Sequence, residues 1–402
     1  MILNMTYWVV SVILLLVTGY FFIVSLLFFL EIFIGILSSK NKNIDSKLLD
    51  KDKDKIISVI LIPAHNEKDV IDKTINSLKP ALKEWDQIIV IADNCTDDTA
   101  SISRSCGVVV YERDDLNLIG KSHALHFGRE RLVEYQPDVV FNIDADCDCS
   151  MLDISYMKKL ALHKHAPIQC HYEMLPSDKE SLSSRLSAFA WWIKNHVRAT
   201  GSSTLGMPCQ LMGSGMVFPI DIFQKIDFSA NALAEDLQIG LELSYQGYES
   251  YYLSSSKVVS RFQVGDKASE TQKTRWIHGH LSTIFNVAMP LMMRSLFSGK
   301  WKCLFQCIDA SFPPITFTLP ILLFFLLITY ILSGLEFAFY IFVLSLLFIL
   351  MGLIMAYAFK DNKFLNHRDI IRIPYLILKK LYIPFSYFFN KQKSWIKTDR
   401  DE

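Results

Sequence analysis

Two aspartates that follow a short apolar run are well placed to hold a metal ion. The run Val139–Ile143 is apolar and rich in β-branched residues, and Asp144-Ala145-Asp146 follows it directly. A run this short predicts a buried strand of a parallel sheet. Because ligands bind at the carboxyl ends of the strands in open α/β sheets, carboxylates there can hold Mg²⁺ or Mn²⁺. The triplet alone also fits an acidic loop that caps the next helix.

Other polar segments are predicted at the same edge of that sheet. A first strand ends in a turn made of Pro63, Ala64, His65, Asn66 and Glu67. This turn can contact a nucleotide or simply cap the next helix. Asp93 ends a second strand, where it can accept a hydrogen bond from a base or ribose, and Lys121 begins a helix, where it can reach a phosphate. Alone, Lys121 fits an exposed lysine after a turn, but the coincidence of these segments predicts a nucleotide site.

Two later clusters add a candidate base and a candidate phosphate ligand. Glu235 and Asp236 begin a predicted helix, where Asp236 can act as a general base or only as an N-cap. Gln272, Arg275 and Trp276 have helical spacing and share one face. Arginine suits phosphate and tryptophan suits stacking on a sugar or base, although such a pair is also common at membrane interfaces.

Strands alternate with helices upstream of the paired aspartates. Apolar runs predict strands at 56–62, 87–92, 108–111 and 139–143. Helical patterns lie between them, at 67–78, 96–105 and 121–135. This alternation predicts right-handed βαβ units and an α/β fold on a mainly parallel sheet. Downstream, the sequence predicts helices at 181–200, 237–245 and from about 270, strands at 249–253 and 257–259, and a structured loop with one strand over 202–218.

Apolar stretches at both ends of the chain predict a membrane protein. Residues 8–37 contain a single charge, Glu31, and two further stretches cover 315–332 and 337–358. The first and third are longer than the about 20 apolar residues that a bilayer span needs, and the second is close to that length; buried core helices are the alternative. Lysine and arginine follow the first and third stretches, whereas the link near 333–336 has neither. This asymmetry predicts an outside N-terminus and a cytosolic middle and C-terminus.

The composition argues against a nucleic-acid-binding site, against disulfides and against a zinc site. The 402-residue chain is 51% hydrophobic and has a formal net charge of zero, so it shows no basic footprint for nucleic acid. Its eight cysteines fall in predicted cytosolic or membrane segments, where disulfides are rare. Since no pattern completes a four-ligand zinc site, we expect free thiols.

The ordered set of motifs resembles the membrane-bound family 2 glycosyltransferases. These are inverting, nucleotide-sugar-dependent enzymes that include cellulose, hyaluronan, chitin and poly-N-acetylglucosamine synthases. The matching motifs are Pro63–Glu67, Asp93, Asp144-Ala145-Asp146, Glu235-Asp236 and the Q-x-x-R-W element that runs from Gln272 to Trp276. The resemblance implies a GT-A-type fold, in which helices flank a mixed, mainly parallel sheet that binds a nucleotide sugar. It also implies transmembrane helices at the N- and C-terminal ends.

The resemblance implies a role for each matching residue. The nucleotide sugar would be bound by Pro63, Ala64, Asn66, Glu67, Asp93, Lys121 and Asp144. Asp144 and Asp146 would hold Mg²⁺ or Mn²⁺, and Asp236, with Glu235 beside it, would be the catalytic base. The diphosphate and the acceptor end would be held by Gln272, Arg275 and Trp276, with Gly213 and Ser214 in an acceptor-side loop.

The implied activity is inverting transfer of a sugar from a UDP-sugar to a lipid-linked or growing glycan acceptor. It would occur at the cytosolic face of the plasma (inner) membrane, in envelope or extracellular polysaccharide synthesis. A processive homopolymer synthase that exports its product is an alternative, which the Q-x-x-R-W element favours and the few predicted spans oppose. A catalytically silent scaffold is another, which the intact carboxylates and Arg275 oppose. Donor and linkage would depend on walls that include Trp191, Trp192, His196, Arg198 and residues 202–212.

The predicted organisation has six parts, each with its own place relative to the membrane. They are a transmembrane anchor (1–40), a charged linker (41–55), a cytosolic glycosyltransferase domain (56–280), interfacial helices (281–312), two transmembrane helices (313–360) and an interfacial C-terminal segment (361–402). Membrane lipids are therefore expected partners alongside the donor and the acceptor.

Overall fold

The computed structural model describes residues 2–38, 55–177, 181–228, 233–262, 266–331, 336–359 and 364–390. Almost all of the predicted linker 41–55 lies outside the described residues. The same holds for most of the link near 333–336 and for the end of the predicted interfacial segment beyond residue 390.

A seven-stranded sheet lies at the centre of the protein. Its strands are β1 (Ser58–Ala64), β2 (Gln87–Asp93), β3 (Val109–Arg113), β4 (Val139–Asn142), β5 (Ile168–Leu175), β6 (Met216–Pro219) and β7 (Tyr251–Arg261), in the spatial order β3-β2-β1-β4-β6-β5-β7. Strands β1 to β4 pair in parallel and β7 pairs in parallel with β5. Only β6 runs antiparallel to its neighbours, β4 and β5. The predicted mixed, mainly parallel sheet is confirmed.

Helices connect and cover the strands. In the globular part they are α1 (Ile71–Leu78), α2 (Thr99–Ser105), α3 (Lys121–Arg131), α4 (Ile154–Lys164), α5 (Leu182–Trp192), α6 (Ala199–Thr204), α7 (Ile220–Phe223), α8 (Glu235–Gln246) and α9 (Asp266–Thr283). Beyond it come α10 (Met289–Phe297), α11 (Trp301–Ala310), α12 (Ile315–Ile331), α13 (Glu336–Ala358), α14 (His367–Ile370), α15 (Ile373–Lys379) and α16 (Tyr382–Phe389). An N-terminal helix (Ile2–Ser38) precedes β1, and two π-helical segments, Ile193–Arg198 and Ile284–Ala288, extend α5 and α9.

Side chains of β1 alternate between two apolar cores. Ile60 and Ile62 pack on the face that α1 and α4 cover, whereas Val59 and Leu61 pack on the face that α3 covers. All four are fully buried. A strand buried on both faces reads as a continuous apolar run, which is why β1, β2 and β4 were predictable. In register, Leu61 lies opposite Ile89 and Asn142, so the carboxyl ends of these strands share one edge.

Some elements differ from the prediction. Strand β5 and helix α4 lie between segments that the sequence patterns predicted and were not expected themselves. The two strands predicted at 249–253 and 257–259 are one strand, β7, with an irregular register opposite Cys170 and His171. The run of three serines at 254–256 suggests a break in the sequence, but the buried Ser256 hydroxyl accepts a hydrogen bond of 2.9 Å from the backbone N–H of Asp153. Because this buried hydroxyl is hydrogen-bonded, the polar stretch can continue within the sheet.

Within the part of the chain that the structure describes, two helices are long and apolar enough to cross a membrane. They are Val12–Ser38, within the N-terminal helix, and Glu336–Ala358. Helices α11 and α12 meet that criterion only together, and they are bent by 85° at the break between them. Helices α12 and α13 pack together, with the Phe325 and Phe342 rings stacked at 5.4 Å, and Phe28 of the N-terminal helix stacks at 4.6 Å on Phe312 at the break between α11 and α12.

Candidate active site

A cavity of about 430 Å³ opens at the carboxyl edge of the parallel strands. The site residues that the sequence predicted line it together: Pro63, Ala64, Asn66, Glu67, Asp93, Lys121, Asp144, Asp146, Gly213, Glu235, Asp236, Gln272, Arg275 and Trp276. Ser214 is the exception, since it is fully buried beneath the cavity. Its hydroxyl accepts a hydrogen bond of 3.0 Å from the backbone N–H of Asp144, so it positions the paired aspartates.

Asn66 joins the first two strand-end loops. Its side-chain oxygen accepts a hydrogen bond of 2.7 Å from the backbone of Thr96, and its amide donates to the Thr96 hydroxyl at 3.1 Å. Its backbone is left-handed, with φ of 54°, a conformation that asparagine tolerates. No side-chain cap is present on α1, so the capping alternative for Asn66 does not hold. These two hydrogen bonds instead hold together two loops that line the cavity.

Asp93 is buried against an arginine that the sequence patterns did not single out. Arg113 donates a hydrogen bond of 2.6 Å from Nη1 to Oδ1 of Asp93. Burial raises the pKa of the Asp93 carboxyl, while Arg113 opposes that rise. Because strands β2 and β3 place Asp93 and Arg113 in register, this pair depends on tertiary pairing and not on sequence spacing.

Lys121 lies between the paired aspartates and the Gly213 loop. Its ammonium contacts the Asp144 carboxylate, donates to the Gly213 carbonyl at 2.6 Å, and lies 4.0 Å from Oε1 of Glu235. Burial opposes its charge, but Asp144 and Glu235 outweigh that effect and raise the pKa of Lys121. Lys121 is therefore a bound cation inside the site, and the exposed-lysine alternative does not hold.

The paired aspartates fit a metal site, whereas the cysteine next to them does not. Oxygen atoms of Asp144 and Asp146 and the Cys147 sulfur lie within 4.8 Å of one another. The two carboxylates fit a hard divalent cation such as Mg²⁺ or Mn²⁺. Cys147 does not fit, because soft sulfur is a poor ligand for these ions and its thiol is buried against the Ser214 hydroxyl at 3.2 Å.

Asp236 lies in the first turn of α8, facing the cavity. Ala234 occupies the N-cap position and makes no side-chain cap, so Asp236 is not the N-cap that the sequence also allowed. Burial raises the pKa of Asp236, with Lys121 opposing. Burial likewise raises the pKa of its neighbour Glu235 to about 7. A buried carboxylate with a raised pKa is better matched to taking a proton near neutral pH.

Helix α9 carries the Gln272, Arg275 and Trp276 side chains to the opposite wall. The charge of Arg275 interacts with Glu235, Asp144 and Asp146, and burial lowers its pKa. The Gln272 side-chain oxygen is buried without a hydrogen-bond partner among the described residues. The Trp276 ring lies 5.1 Å from that of Trp191, so two indoles flank this wall. An arginine beside the carboxylates and two aromatic rings suit a phosphate and a sugar.

Part of the cavity wall was not singled out from the sequence. The structure adds Tyr172, Met174, Lys194, Asn195 and His280 to the lining. Of the expected wall residues, Trp191 lines the cavity, as do Leu211 and Met212 from the range 202–212. Trp192, His196 and Arg198 do not line it. Their helix turns them away from it, and Trp192 packs instead on Phe359.

Comparison with protein families gives two overlapping matches. The model for glycosyl transferase family group 2 matches residues 145–359, and the model for glycosyl transferase family 2 matches residues 59–201. The first covers more than half of the chain, and together they include most of the cavity lining. Comparison with curated proteins finds no match.

Solved structures of similar fold include a mannosyltransferase from Pyrobaculum calidifontis in complex with GDP-mannose and Mn²⁺. It is 11% identical, the match covers 93% of this chain and 99% of that one, and the TM-score is 0.53. A glucosyl-3-phosphoglycerate synthase from Mycobacterium tuberculosis, in complex with Mn²⁺, UDP and glucosyl-3-phosphoglycerate, is 16% identical. That match covers 58% of this chain and 82% of the other, with a TM-score of 0.37. The first similarity shows the GT-A-like fold.

Proposed function

The chain belongs to glycosyltransferase family 2, and from this premise we propose that it moves a sugar from a UDP-sugar to a lipid-linked or growing glycan acceptor, with inversion. The acceptor would be reached at the cytosolic face of the plasma membrane, in envelope or extracellular polysaccharide synthesis. One observation carries the proposal: the paired aspartates, Asp236 and Arg275 line a single cavity. These are the groups that a one-step displacement at an anomeric carbon requires.

Asp144 and Asp146 would hold Mg²⁺ or Mn²⁺, and the cation would neutralise the donor's diphosphate. Arg275 would then contact the same diphosphate from α9, because its charge already interacts with both aspartates. As the leaving nucleoside diphosphate gains negative charge, a fixed guanidinium stabilises it. Asp93 would accept from the uracil or ribose, at the end of β2.

Asp236 would remove the proton from the acceptor hydroxyl. Its Oδ2 lies 3.2 Å from the position that a Cβ at Gly213 would occupy, so the acceptor-side loop and the base are in direct proximity. The absence of a side chain at Gly213 leaves room beside the carboxylate for an acceptor. In-line attack needs no covalent intermediate, so a single base is sufficient.

Membrane placement follows from the apolar helices and the basic residues beside them. We propose that the N-terminal helix, α12 and α13 cross the bilayer and that 56–280 form the cytosolic domain. Lys40, Lys42 and Lys47 follow the first span, which favours a cytosolic position for that end. Exposed apolar side chains support interfacial contact by the predicted segments 281–312 and 361–402, among them Phe297, Trp301, Ile371, Leu378 and Phe389.

A donor screen tests the proposal. The full chain is purified in detergent, and nucleotide release is followed with Mn²⁺ and a panel of UDP-sugars. GDP-mannose is included because the similar mannosyltransferase holds it. We expect one UDP-sugar to be consumed, with release abolished by EDTA. No release from any donor would contradict the proposal and favour a silent scaffold, and a ladder of long products would favour a processive synthase.

A further inference from the structure

Lys194 is a cavity-lining cation that the proposed mechanism leaves unused. It lies in the π-helical segment Ile193–Arg198, which interrupts the long helix from α5 to α6. A π-helical turn inserts an extra residue and turns side chains out of the regular helical series, and such turns occur often at functional sites. Here the segment places Lys194 and Asn195 on the cavity wall beside Trp191.

The charge of Lys194 is not neutralised in the way that the charge of Lys121 is. Among the described residues, no hydrogen bond or ion pair to the Lys194 ammonium is present, whereas Lys121 contacts Asp144 and the Gly213 carbonyl. Burial lowers the pKa of Lys194, while Asp236 opposes that effect. A partly buried cation without a close partner is costly, and a ligand of opposite charge would remove much of that cost.

Lys194 and Arg275 line the same cavity but interact with different charged residues. Its main charge interactions are with Asp236, Arg198 and Asp309, and the last two already pair with each other. Arg275 instead interacts with Glu235 and the two metal-side aspartates. Lys194 therefore interacts with the candidate base, whereas Arg275 interacts with the aspartates that would hold the donor diphosphate.

Buried ion pairs hold the helix that carries Lys194 in place. Arg198, in the same π-helical segment, binds Glu31 of the N-terminal helix at 2.7 Å and also pairs with Asp309 of α11. All three side chains are buried. The backbone that carries Lys194 is thus held in place by buried charge pairs, so binding a ligand there does not require the helix to be ordered first.

We propose that Lys194 binds an anionic group, a phosphate or a carboxylate, carried by the acceptor close to the hydroxyl that Asp236 deprotonates. This rests on the proposed function and adds the charge class of the acceptor to it. When Asp236 takes the proton it becomes neutral, and Lys194 then loses the stronger of its two interactions with negative charges of the protein, those of Asp236 and Asp309. An anion on the acceptor supplies that charge throughout the reaction.

Matched sugar probes test the proposal on the full chain loaded with Mn²⁺ and UDP. Ligand-observed NMR titrations would compare glucose 6-phosphate, glucuronate and glucose, which share one ring and differ in charge. We expect at least one of the anionic sugars to bind about tenfold more tightly than glucose, as a charge-assisted contact allows. The phosphate and carboxylate arms distinguish the two sources of charge.

Three variants complete the test. Lys194→Met should remove the preference for the anionic sugar while UDP affinity is unchanged, and Lys194→Arg should restore it. Lys83→Met, at an exposed lysine outside the cavity, should behave as wild type. Equal binding of the three sugars by the wild type, or a preference that survives Lys194→Met, would overturn the proposal. Loss of UDP binding in Lys194→Met but not in Lys194→Arg would assign the lysine to the donor and overturn it as well. Absence of UDP binding by the wild type would instead contradict the proposed function.

Discussion

Arg198 donates a hydrogen bond of 2.7 Å from its Nε to a carboxylate oxygen of Glu31, the single charged residue of the predicted first span. The other carboxylate oxygen accepts from the Ser202 hydroxyl at 2.8 Å. Gly201 permits this approach, because a Cβ there would lie 2.0 Å from the Glu31 carbonyl oxygen. The N-terminal helix is therefore packed directly against the helices that follow strand β5.

Removing one partner of this buried pair should destabilise the whole protein. Arg198→Met leaves Glu31 and Asp309 without their shared cation, which we expect to cost about 3 to 5 kcal/mol. Thermal unfolding of the purified protein in detergent would measure the loss. Leu37→Ala, at an exposed position of the same helix, is the control. An unchanged unfolding midpoint in Arg198→Met would show that the pair does not hold the helix to the domain.

Gly213→Ala should impair transfer beyond any effect on stability. Gly213 has φ of 89°, and an added methyl would lie 3.2 Å from Oδ2 of Asp236 and 3.6 Å from Nζ of Lys121. We expect kcat to fall about tenfold or more, since small misplacement of catalytic groups is costly. Gly247→Ala is a matched control, because Gly247 has φ of 98° and open space around it. If both variants lost the same fraction of activity, backbone strain alone would explain the loss.

Metal affinity should depend on Asp146 and not on Cys147. Asp146→Asn removes a charged oxygen ligand and should weaken Mn²⁺-dependent UDP binding at least about tenfold, as calorimetry would show. Cys147→Ser keeps the hydrogen bond to Ser214 possible and should bind Mn²⁺ and UDP as the wild type does. A large loss in Cys147→Ser with none in Asp146→Asn would reverse the assignment of ligands.

Glu235 should make the stability of the metal-free protein depend on pH. Burial raises its pKa from 4.5 to about 7, so between these values the folded protein binds more protons than the unfolded chain. Its contribution to stability is therefore fully present below pH 4.5 and is lost as the pH rises towards 7. Glu235→Gln should flatten this part of the profile of unfolding midpoint against pH. The exposed Glu84→Gln should leave the profile unchanged, and an unaltered slope in Glu235→Gln would contradict the account.

The sequence was sufficient to predict strands β1, β2 and β4, because they are buried on both faces and read as continuous apolar runs. Strand β5 was missed although it carries a signal, since Ile168, Cys170, Tyr172 and Met174 alternate with polar residues. The segment was not predicted as a strand although this alternation indicates one, and in the structure its polar face is buried too. A period of two normally indicates a strand with one face in water.

Contacts between distant segments explain why other parts of the site were not predictable. Arg113 reaches Asp93 only because β2 and β3 pair in register. Lys194 enters the cavity through a π-helical segment, and the long helical pattern over 181–200 gave no indication of that change in geometry. In contrast, the paired aspartates and Asp236 followed recognisable elements, so their meeting in one cavity was expected from the order of the motifs.

The central claim is that Asp236 is the base of an inverting, metal-dependent sugar transfer, and Asp236→Asn tests it most directly. Transfer from the UDP-sugar identified in the donor screen would be measured beside UDP binding in the presence of Mn²⁺. We expect transfer to fall at least about a hundredfold, because an amide cannot take the proton, while UDP affinity stays within a few-fold of wild type. Undiminished transfer by Asp236→Asn would contradict the account.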